Sequence, residues 1–234
     1  MKVLCIGDST SLPGRSNKYE DTWLFKLKKR YQDWDFITFF KRGITTNILS
    51  EMGGGEENYD NPVGADCLEH YLPDKVIIQL GIVDCAPRLI KENKLIWKII
   101  RRLGDKAVNR YVKYLKKFER DEKNVKVSKE KFYENILNYL KRCEKLNIQH
   151  VILIEILEPS NEISQKNKKL LDNAKAYNKV IYEIKEKFGF LEILTPFTNL
   201  DTLDLYEDGY HPNPKGNKII AEKLINSIDN KYVN

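Results

Sequence analysis

Short apolar segments alternate with stretches of helical periodicity along this chain, and that alternation limits the fold more than any other feature. Five segments have the length and the aliphatic and aromatic content of buried strands: Lys2–Ile6, Phe36–Phe40, Val76–Leu80, Val151–Ile156 and Phe190–Leu194. Four others repeat apolar residues at helical spacing: Glu20–Tyr31, Ser128–Leu146, Lys166–Phe188 and Pro214–Ile228. Strands that alternate with helices of this length form βαβ units, so we predict an α/β fold, a three-layer sandwich around a five-stranded parallel sheet.

The composition suits a single domain that covers residues 1–234. The chain has 234 residues, of which 41% are hydrophobic, and this is enough for one substantial core. No apolar run reaches the length of a membrane span, and the first residues lack the apolar core of a signal peptide. The four cysteines are far apart, so we expect reduced thiols in a cytoplasmic protein and neither disulfides nor a zinc site: Cys5, Cys67, Cys85 and Cys143.

Chemically useful residues follow the predicted strands, at the positions that meet on one edge of a parallel sheet. Ser9 follows the first strand, Gly43 the second and Gly81 the third, while His211 precedes the last helix. A serine hydroxyl, an imidazole base and the carboxylate of Asp208 are the minimum set for acyl transfer through a covalent intermediate. The leading hypothesis is therefore the hydrolysis of an ester.

A simpler interpretation of the last of these segments stays open. Asp-Gly and Pro-Asn-Pro are strong turn signals, so residues 208–214 are also consistent with a turn that only leads into the final helix. The other two histidines, His70 and His150, lie at a predicted helix end and strand start, where we expect structural or solvated roles.

Four sequence blocks, in this order, resemble those of the SGNH or GDSL hydrolases. The blocks are Gly7-Asp8-Ser9, Gly43 within Arg42–Thr46, Gly81-Ile82-Val83-Asp84, and Asp208 with His211. The resemblance covers nearly the whole chain except residues 88–126. It implies an SGNH/flavodoxin-like sandwich with Ser9 as nucleophile, His211 as base and Asp208 as the group that orients the base. It implies no cofactor and no metal.

The resemblance also implies an oxyanion hole, and here the chain departs from the family pattern. Two donors map onto the backbone amides of Ser9 and Gly43, but the third, an asparagine side chain, is replaced by Val83. Losing one such donor typically costs a factor of about 10² to 10³ in turnover.

Three explanations of that departure stay open. The enzyme works with two donors, or it recruits one from Asn47, Thr45 or the insertion; it is a slow hydrolase or an acyltransferase; or the site is inactive and kept for binding. Because all three residues of the acyl-transfer set are present, we favour an active enzyme.

Four residues around the predicted crevice are assigned to substrate binding: Asp8, Gly81, Asp84 and Arg88. A carboxylate and a guanidinium there suit a polar substrate such as a sugar. Asp84 has an equally good alternative, which is to stabilise its own loop through backbone amides. The resemblance implies a carboxylic ester substrate, most plausibly an acetyl ester of a carbohydrate or surface polysaccharide.

Residues 88–127 form a basic insertion. Residues 88–126 contain 14 Lys and Arg against 5 Asp and Glu, a net of +9, whereas the whole chain is +6. Apolar residues recur there at helical spacing, with Gly104 as a candidate break: Ile96, Ile100, Leu103, Ala107, Tyr111, Leu115 and Phe118. The insertion is a lid packed on the domain, a peripheral membrane contact through residues 95–118 and Trp97, or a binding element for a polyanionic polymer. Charge alone gives little support for nucleic-acid binding, which we do not expect.

Overall fold

The computed structural model describes residues 1–50, 66–89, 95–115, 122–166 and 168–230. The strands are β1 (Lys2–Gly7), β2 (Asp35–Phe40), β3 (Lys75–Gln79), β4 (His150–Ile154) and β5 (Leu191–Leu194). The helices are α1 (Trp23–Arg30), α2 (Asp66–Tyr71), α3 (Ile82–Cys85), α4 (Leu95–Arg102), α5 (Asp105–Leu115), α6 (Lys129–Lys145), α7 (Asn161–Lys166), α8 (Lys168–Lys185) and α9 (Pro214–Asn230). Three short 3-10 turns cover Ser9–Ser11, Tyr19–Asp21 and Thr46–Leu49.

The five strands form one parallel sheet in the order β2-β1-β3-β4-β5. This confirms the predicted α/β fold with a five-stranded parallel sheet. The chain leaves β1 in one direction to β2 and then returns to the other side of β1 to form β3. Parallel sheets hold their ligands at such a switch point, beyond the carboxyl ends of the strands. Ser9 follows β1 directly and therefore lies at this point.

Alternation along each strand supplies the two apolar layers. Val3 and Cys5 of β1 pack with α1 and α9, whereas Leu4 and Ile6 pack on the opposite face with α6 and α8. All four side chains have at most 5% of their surface exposed. Burying one large aliphatic side chain contributes about 1.5–3 kcal/mol, so both layers are needed to hold the sheet.

The start of α1 and the end of β4 differ from the predictions, because side-chain hydrogen bonds to the backbone replace backbone–backbone bonds there. The helix predicted over Glu20–Tyr31 begins only at Trp23, because the Thr22 hydroxyl accepts from the backbone N–H of Phe25 and caps the first turn. The strand predicted to reach Ile156 ends at Ile154. Beyond it, the Asn178 side chain accepts from the Ile156 N–H and donates to its carbonyl, each at 2.9 Å.

The basic insertion contains two helices that pack on each other. Gly104 separates α4 from α5 with a φ of +86°, and the rings of Trp97 and Tyr111 stack with their centroids 6.5 Å apart. The predicted apolar stripe divides: Ile100, Ala107, Tyr111 and Leu115 are half-buried between the helices, while Ile96 and Leu103 are exposed. Phe118 lies outside the described residues.

Two findings bear on the environment of the protein. No helix in the described part of the chain combines the length and the apolar character that crossing a bilayer requires. All four cysteines are buried free thiols, as the sequence predicts: Cys5, Cys67, Cys85 and Cys143.

Candidate active site

The loop after β1 presents Ser9 at the sheet edge on a tight, capped turn. The Asp8 N–H donates to the carbonyl of Gln79 at 3.1 Å, which extends the pairing of β1 with β3 by one residue. The Asp8 carboxylate then accepts from the backbone N–H of Thr10 at 2.8 Å and from its hydroxyl at 2.7 Å. These bonds fix the 3-10 turn that begins at Ser9, whose side chain stays partly exposed.

Gln79, the last residue of β3, supports this turn from below. Its side-chain oxygen accepts from the Ser11 hydroxyl at 2.6 Å and from the Trp23 indole N–H at 2.8 Å. Sequence reasoning included Gln79 only as part of an apolar strand and missed this role. A single polar residue at the carboxyl end of an otherwise apolar strand is the signal that points to it.

The loop before α9 brings His211 against Ser9. The imidazole Nε2 lies 3.0 Å from the Ser9 hydroxyl, and Nδ1 lies 2.7 Å from the Asp208 carboxylate. The Asp208 carboxylate also accepts from the His211 backbone N–H at 3.0 Å, which fixes the ring relative to its own loop. With Nδ1 protonated, Nε2 is the acceptor for the serine hydroxyl.

Asp208 is held in its charged form. Partial burial alone would raise its pKa, but hydrogen bonds from the side chain and backbone of His211 outweigh this, and the pKa lies below its ordinary value. The carboxylate therefore remains ionised near neutral pH and can stabilise an imidazolium.

Gly209 allows the sharp turn between these two residues. Its φ is +97°, and a Cβ atom there would lie 2.1 Å from Ile163 of α7. Its carbonyl accepts from the Ser160 N–H at 2.7 Å, so the turn is tied to the start of α7.

Pro212 anchors the histidine loop to both ends of the chain. Its carbonyl accepts from the Asn17 amide at 2.6 Å and from the Asn217 amide, in α9, at 3.0 Å. Asn213 caps α9 by accepting from the Gly216 N–H at 3.0 Å. Residues about 200 positions apart in sequence are thereby held in one cluster.

Glu207 forms a second clamp that sequence reasoning missed. Its carboxylate accepts from the backbone N–H of Arg15 and of Ser16, at 3.1 and 2.9 Å, and from the Ser16 hydroxyl at 2.7 Å. Gly14 permits this approach, since a Cβ atom there would lie 1.9 Å from the carboxylate. Glu207 thus joins the loop after the Ser9 turn to the histidine loop.

Two backbone amides near the nucleophile are available to a developing negative charge. The N–H groups of Ser9 and Gly43 have no acceptor among the described residues. Gly43 adopts a φ of +77° in the exposed loop after β2, and the adjacent Arg42 side chain donates to the Pro13 carbonyl at 2.8 Å. That bond ties the Gly43 loop to the Ser9 loop.

The third sequence block forms a one-turn helix beside these loops. Gly81 precedes α3 with a φ of +126°, and a Cβ atom there would lie 2.7 Å from the Ile156 side chain. Val83 is 8% exposed, and its carbonyl accepts from the Arg88 guanidinium at 3.1 Å. Arg88 also pairs with Asn124 through two bonds, at 2.6 and 2.7 Å, which close the base of the insertion. In this arrangement Arg88 holds the insertion to α3.

Asp8 and Asp84 lie beneath the site and not on its surface. Both side chains have no exposed surface, so the predicted direct contact of Asp8 and Asp84 with substrate is not available in this arrangement. Asp84 accepts instead from the backbone N–H and hydroxyl of Thr46, at 2.9 and 2.5 Å. Burial raises the pKa of Asp8 to about 6 and that of Asp84 to about 7, and the Asp8 charge adds to the second shift.

Glu207, Asp208 and His211 also place three donor atoms within 4.8 Å of one another, a spacing compatible with a cation. Their groups already have partners, since Glu207 is bound to Arg15 and Ser16 and the other two are bound to each other. The arrangement supports no metal assignment, and the absence of a metal stays a prediction.

A family model for GDSL-like lipases and acylhydrolases matches residues 3–224 of this sequence. The chain belongs to the GDSL hydrolase family. The match includes the Ser9 turn at one end and the His211 loop at the other, so the sequence resemblance and the family assignment agree. Membership makes the chain an SGNH-type hydrolase of the esterase and acylhydrolase class.

Solved structures of similar fold cover nearly the full length of this GDSL hydrolase. An esterase from a Pseudoalteromonas species shares 20% identity over 100% of this chain and 99% of its own, with a TM-score of 0.55. A lipase/acylhydrolase from Enterococcus faecalis shares 16% identity over 98% of this chain and 96% of its own, with a TM-score of 0.61. A catalytic mutant of an acetylxylan esterase from Geobacillus stearothermophilus shares 15% identity over 97% of this chain and 93% of its own, with a TM-score of 0.57. Among proteins of curated function, none matches the sequence.

Proposed function

We propose that this GDSL hydrolase is a serine esterase that works through an acyl-Ser9 intermediate. The observation that carries the proposal is the continuous chain of two hydrogen-bonded contacts from Asp208 to His211 to Ser9, at 2.7 and 3.0 Å. A serine hydroxyl is a weak nucleophile by itself, and a base within hydrogen-bond distance is what activates it.

Acylation follows from the positions of these atoms. The Ser9 oxygen attacks the ester carbonyl carbon while its proton passes to His211 Nε2, and the carbonyl oxygen becomes an oxyanion. The ionised Asp208 stabilises the imidazolium. Collapse of the intermediate breaks the bond to the alcohol, which takes the proton from Nε2 and leaves. Water then attacks acyl-Ser9, with the neutral imidazole again as base, and releases the acid.

The backbone N–H groups of Ser9 and Gly43 are proposed as the oxyanion donors. Val83 supplies no side-chain donor, and the alternatives differ in suitability. Thr45 is buried, and the Asn47 side-chain oxygen accepts from the Asn135 amide at 2.9 Å; neither side chain has a hydrogen bond to Ser9 in the described part of the chain. We propose a two-donor hole and therefore a slow esterase, since each missing donor costs a factor of about 10² to 10³.

A small acyl group, most plausibly acetyl, on a carbohydrate is the proposed substrate. A similar fold serves an acetylxylan esterase, which makes a sugar acetate a reasonable first substrate to try. Gly81 and Arg88 remain proposed members of the substrate-binding region.

The test is turnover of 4-nitrophenyl acetate, with mass spectrometry of the protein. Wild type should accumulate an acetyl group on the Ser9 peptide, Ser9→Ala should lose both the adduct and the turnover, and His211→Ala should slow deacetylation. Ser227→Ala serves as a control because Ser227 lies in α9 and its hydroxyl has no hydrogen-bond partner among the described residues. Equal turnover by wild type and Ser9→Ala would remove the esterase proposal and leave a binding role for the site.

Acyl transfer is the second candidate, and the missing donor at Val83 is what favours it, because slow hydrolysis leaves time for another alcohol to react. Product analysis separates the two. With acetylated xylo-oligosaccharide as donor and free oligosaccharide as acceptor, an esterase releases acetate, whereas a transferase moves acetyl between sugars and releases little.

A further inference from the structure

We propose that the insertion docks this protein on a bilayer of anionic phospholipid through helix α4. The docking face consists of an apolar strip and a basic strip on the same helix. The apolar strip is Leu95, Ile96, Ile99 and Leu103, and the basic strip is Lys98, Arg101 and Arg102.

The apolar strip is exposed to an extent that is unusual for a protein of this size. Leu95 is 73% exposed and Leu103 69%, while Ile96 and Ile99 are each about half exposed. Positions 95, 96, 99 and 103 lie within one sector of the helix, since 3.6 residues complete a turn. No residue of α4 is buried, although five of its eight residues are apolar.

Helix α5 covers the other side of α4 and does not compete for this strip. The rings of Trp97 in α4 and Tyr111 in α5 stack on each other, and Ile100, Ala107 and Leu115 are half-buried. The two helices are each other's main packing partners in the described part of the chain. The pair is therefore a preformed unit that presents Leu95 and Leu103 outward.

The charge of the hairpin selects the partner. Residues 95–115 contain six Lys and Arg and one acidic residue, Asp105, for a net of +5. The six cations are exposed and form no ion pair with any carboxylate that the structure describes: Lys98, Arg101, Arg102, Lys106, Arg110 and Lys113. An open groove of about 480 Å³ is lined by Trp97 and the three cations of the basic strip, which suits a lipid phosphate.

This combination favours a membrane over the other candidates. A soluble polyanion would satisfy the cations but leave Leu95 and Leu103 in water. A second copy of the chain would bring two hairpins of the same strong positive charge together. An anionic bilayer accepts aliphatic side chains and neutralises the basic strip at the same surface.

The root of the insertion gives the docking a consequence for the active site. Arg88 and Asn124 close its base on α3, and the Val127 N–H donates to the Asp84 carbonyl at 3.4 Å. The hairpin therefore leaves the fold at the same edge of the sheet as Ser9. Docking of α4 therefore anchors the protein to the bilayer through an insertion whose root lies at that edge.

Vesicle sedimentation tests the proposal with the full chain. Wild type should bind phosphatidylcholine vesicles that contain 30% phosphatidylglycerol. Its partition coefficient onto vesicles of phosphatidylcholine alone should be at least tenfold lower. Each basic residue near an anionic surface contributes about a fivefold gain in partition coefficient, so Lys98→Gln, Arg101→Gln and Arg102→Gln together should reduce binding roughly 100-fold. Leu95→Gln, Ile99→Gln and Leu103→Gln together should reduce it at least tenfold.

A matched control removes the same charge from another surface. Lys29→Gln, Lys218→Gln and Lys223→Gln change exposed lysines of α1 and α9, and this variant should bind vesicles like wild type. All variants should keep wild-type turnover of 4-nitrophenyl acetate in solution, which separates a failure of docking from a failure of the esterase proposal.

Several results would overturn the docking proposal. One is the absence of binding to anionic vesicles, and another is an equal loss of vesicle binding in the control variant. A third is unchanged vesicle binding in the apolar variant together with tight binding to heparin, which would indicate a soluble polyanion. A dimer in solution that the apolar variant dissolves would assign the strip to a second copy of the chain.

Discussion

The carboxylate of Asp84 accepts two hydrogen bonds from Thr46, one from its backbone N–H at 2.9 Å and one from its hydroxyl at 2.5 Å. This contact joins the loop after β2, which carries Gly43, to the helix after β3, which carries Val83. The two loops that border the proposed oxyanion hole are therefore held together by one buried acid.

Replacing Asp84 by Asn should change how stability depends on pH. Burial raises the pKa of Asp84 to about 7, so the folded state binds this proton more tightly than the unfolded chain does. The free energy of unfolding of wild type therefore falls as pH rises from about 4 to about 7 and levels off above. Asp84→Asn removes this contribution and keeps an oxygen for Thr46.

The measurement is urea denaturation at pH 4.5 and pH 8. Between these values the free energy of unfolding of Asp84→Asn should gain about 3 kcal/mol on that of wild type. Burial also raises the pKa of Asp8 to about 6, so the variant keeps a part of the pH dependence that comes from Asp8. A difference that stays constant between the two pH values would contradict the prediction.

Introducing a side-chain amide at Val83 should speed up the enzyme. Val83→Asn supplies the side-chain donor that the sequence resemblance predicts at this position, and the gain in kcat for 4-nitrophenyl acetate should be about tenfold or more. Val83→Leu, which adds no donor, is the control. A folded Val83→Asn variant without any gain would show that a third donor is already present or that its geometry is unsuitable.

Removing the charge of Asp208 should reduce kcat much more than it changes KM. Asp208→Asn no longer stabilises the imidazolium and permits the unproductive tautomer of His211, for an expected loss of about 10² to 10⁴ in kcat. Circular dichroism verifies the fold, because the side chain is 45% exposed on its own loop. Retention of more than half of the wild-type kcat would exclude Asp208 from the proposed mechanism.

Glu207 should matter for both stability and turnover. Glu207→Ala leaves the N–H groups of Arg15 and Ser16 without their acceptor, and we expect a loss of about 2 kcal/mol in the free energy of unfolding with a lower kcat. Glu207→Gln keeps one accepting oxygen, so its free energy of unfolding and its kcat should lie between those of wild type and Glu207→Ala. Thermal unfolding and initial rates measure both effects, and wild-type values for the Ala variant would show that the clamp is dispensable.

The sheet and its nucleophile could be predicted because they depend on local patterns. Strand β1 is a run of apolar residues, and Ser9 follows it directly, so parallel topology alone places the serine at the sheet edge. The helix predicted over Ser128–Leu146 is observed as α6, and the Ser128 hydroxyl caps it by accepting from the Lys131 N–H at 3.2 Å. In such cases the neighbours in sequence are also the neighbours in space.

The supporting residues could not be predicted because their partners are remote in sequence. Glu207 binds residues about 190 positions away, and Gln79 binds Ser11 and Trp23 from inside an apolar strand. The bonds from Thr46 to the Asp84 carboxylate could not be predicted for the same reason, since the two residues are 38 positions apart in sequence.

The carbonyl of Pro212 is shared by Asn17, near the start of the chain, and Asn217, in the final helix. During synthesis the first strand and its serine leave the ribosome about 200 residues before the second of these amides exists. A nascent chain that stops short of this loop thus carries a nucleophile with no activating base, and hydrolytic competence arrives only once the His211 loop has been translated.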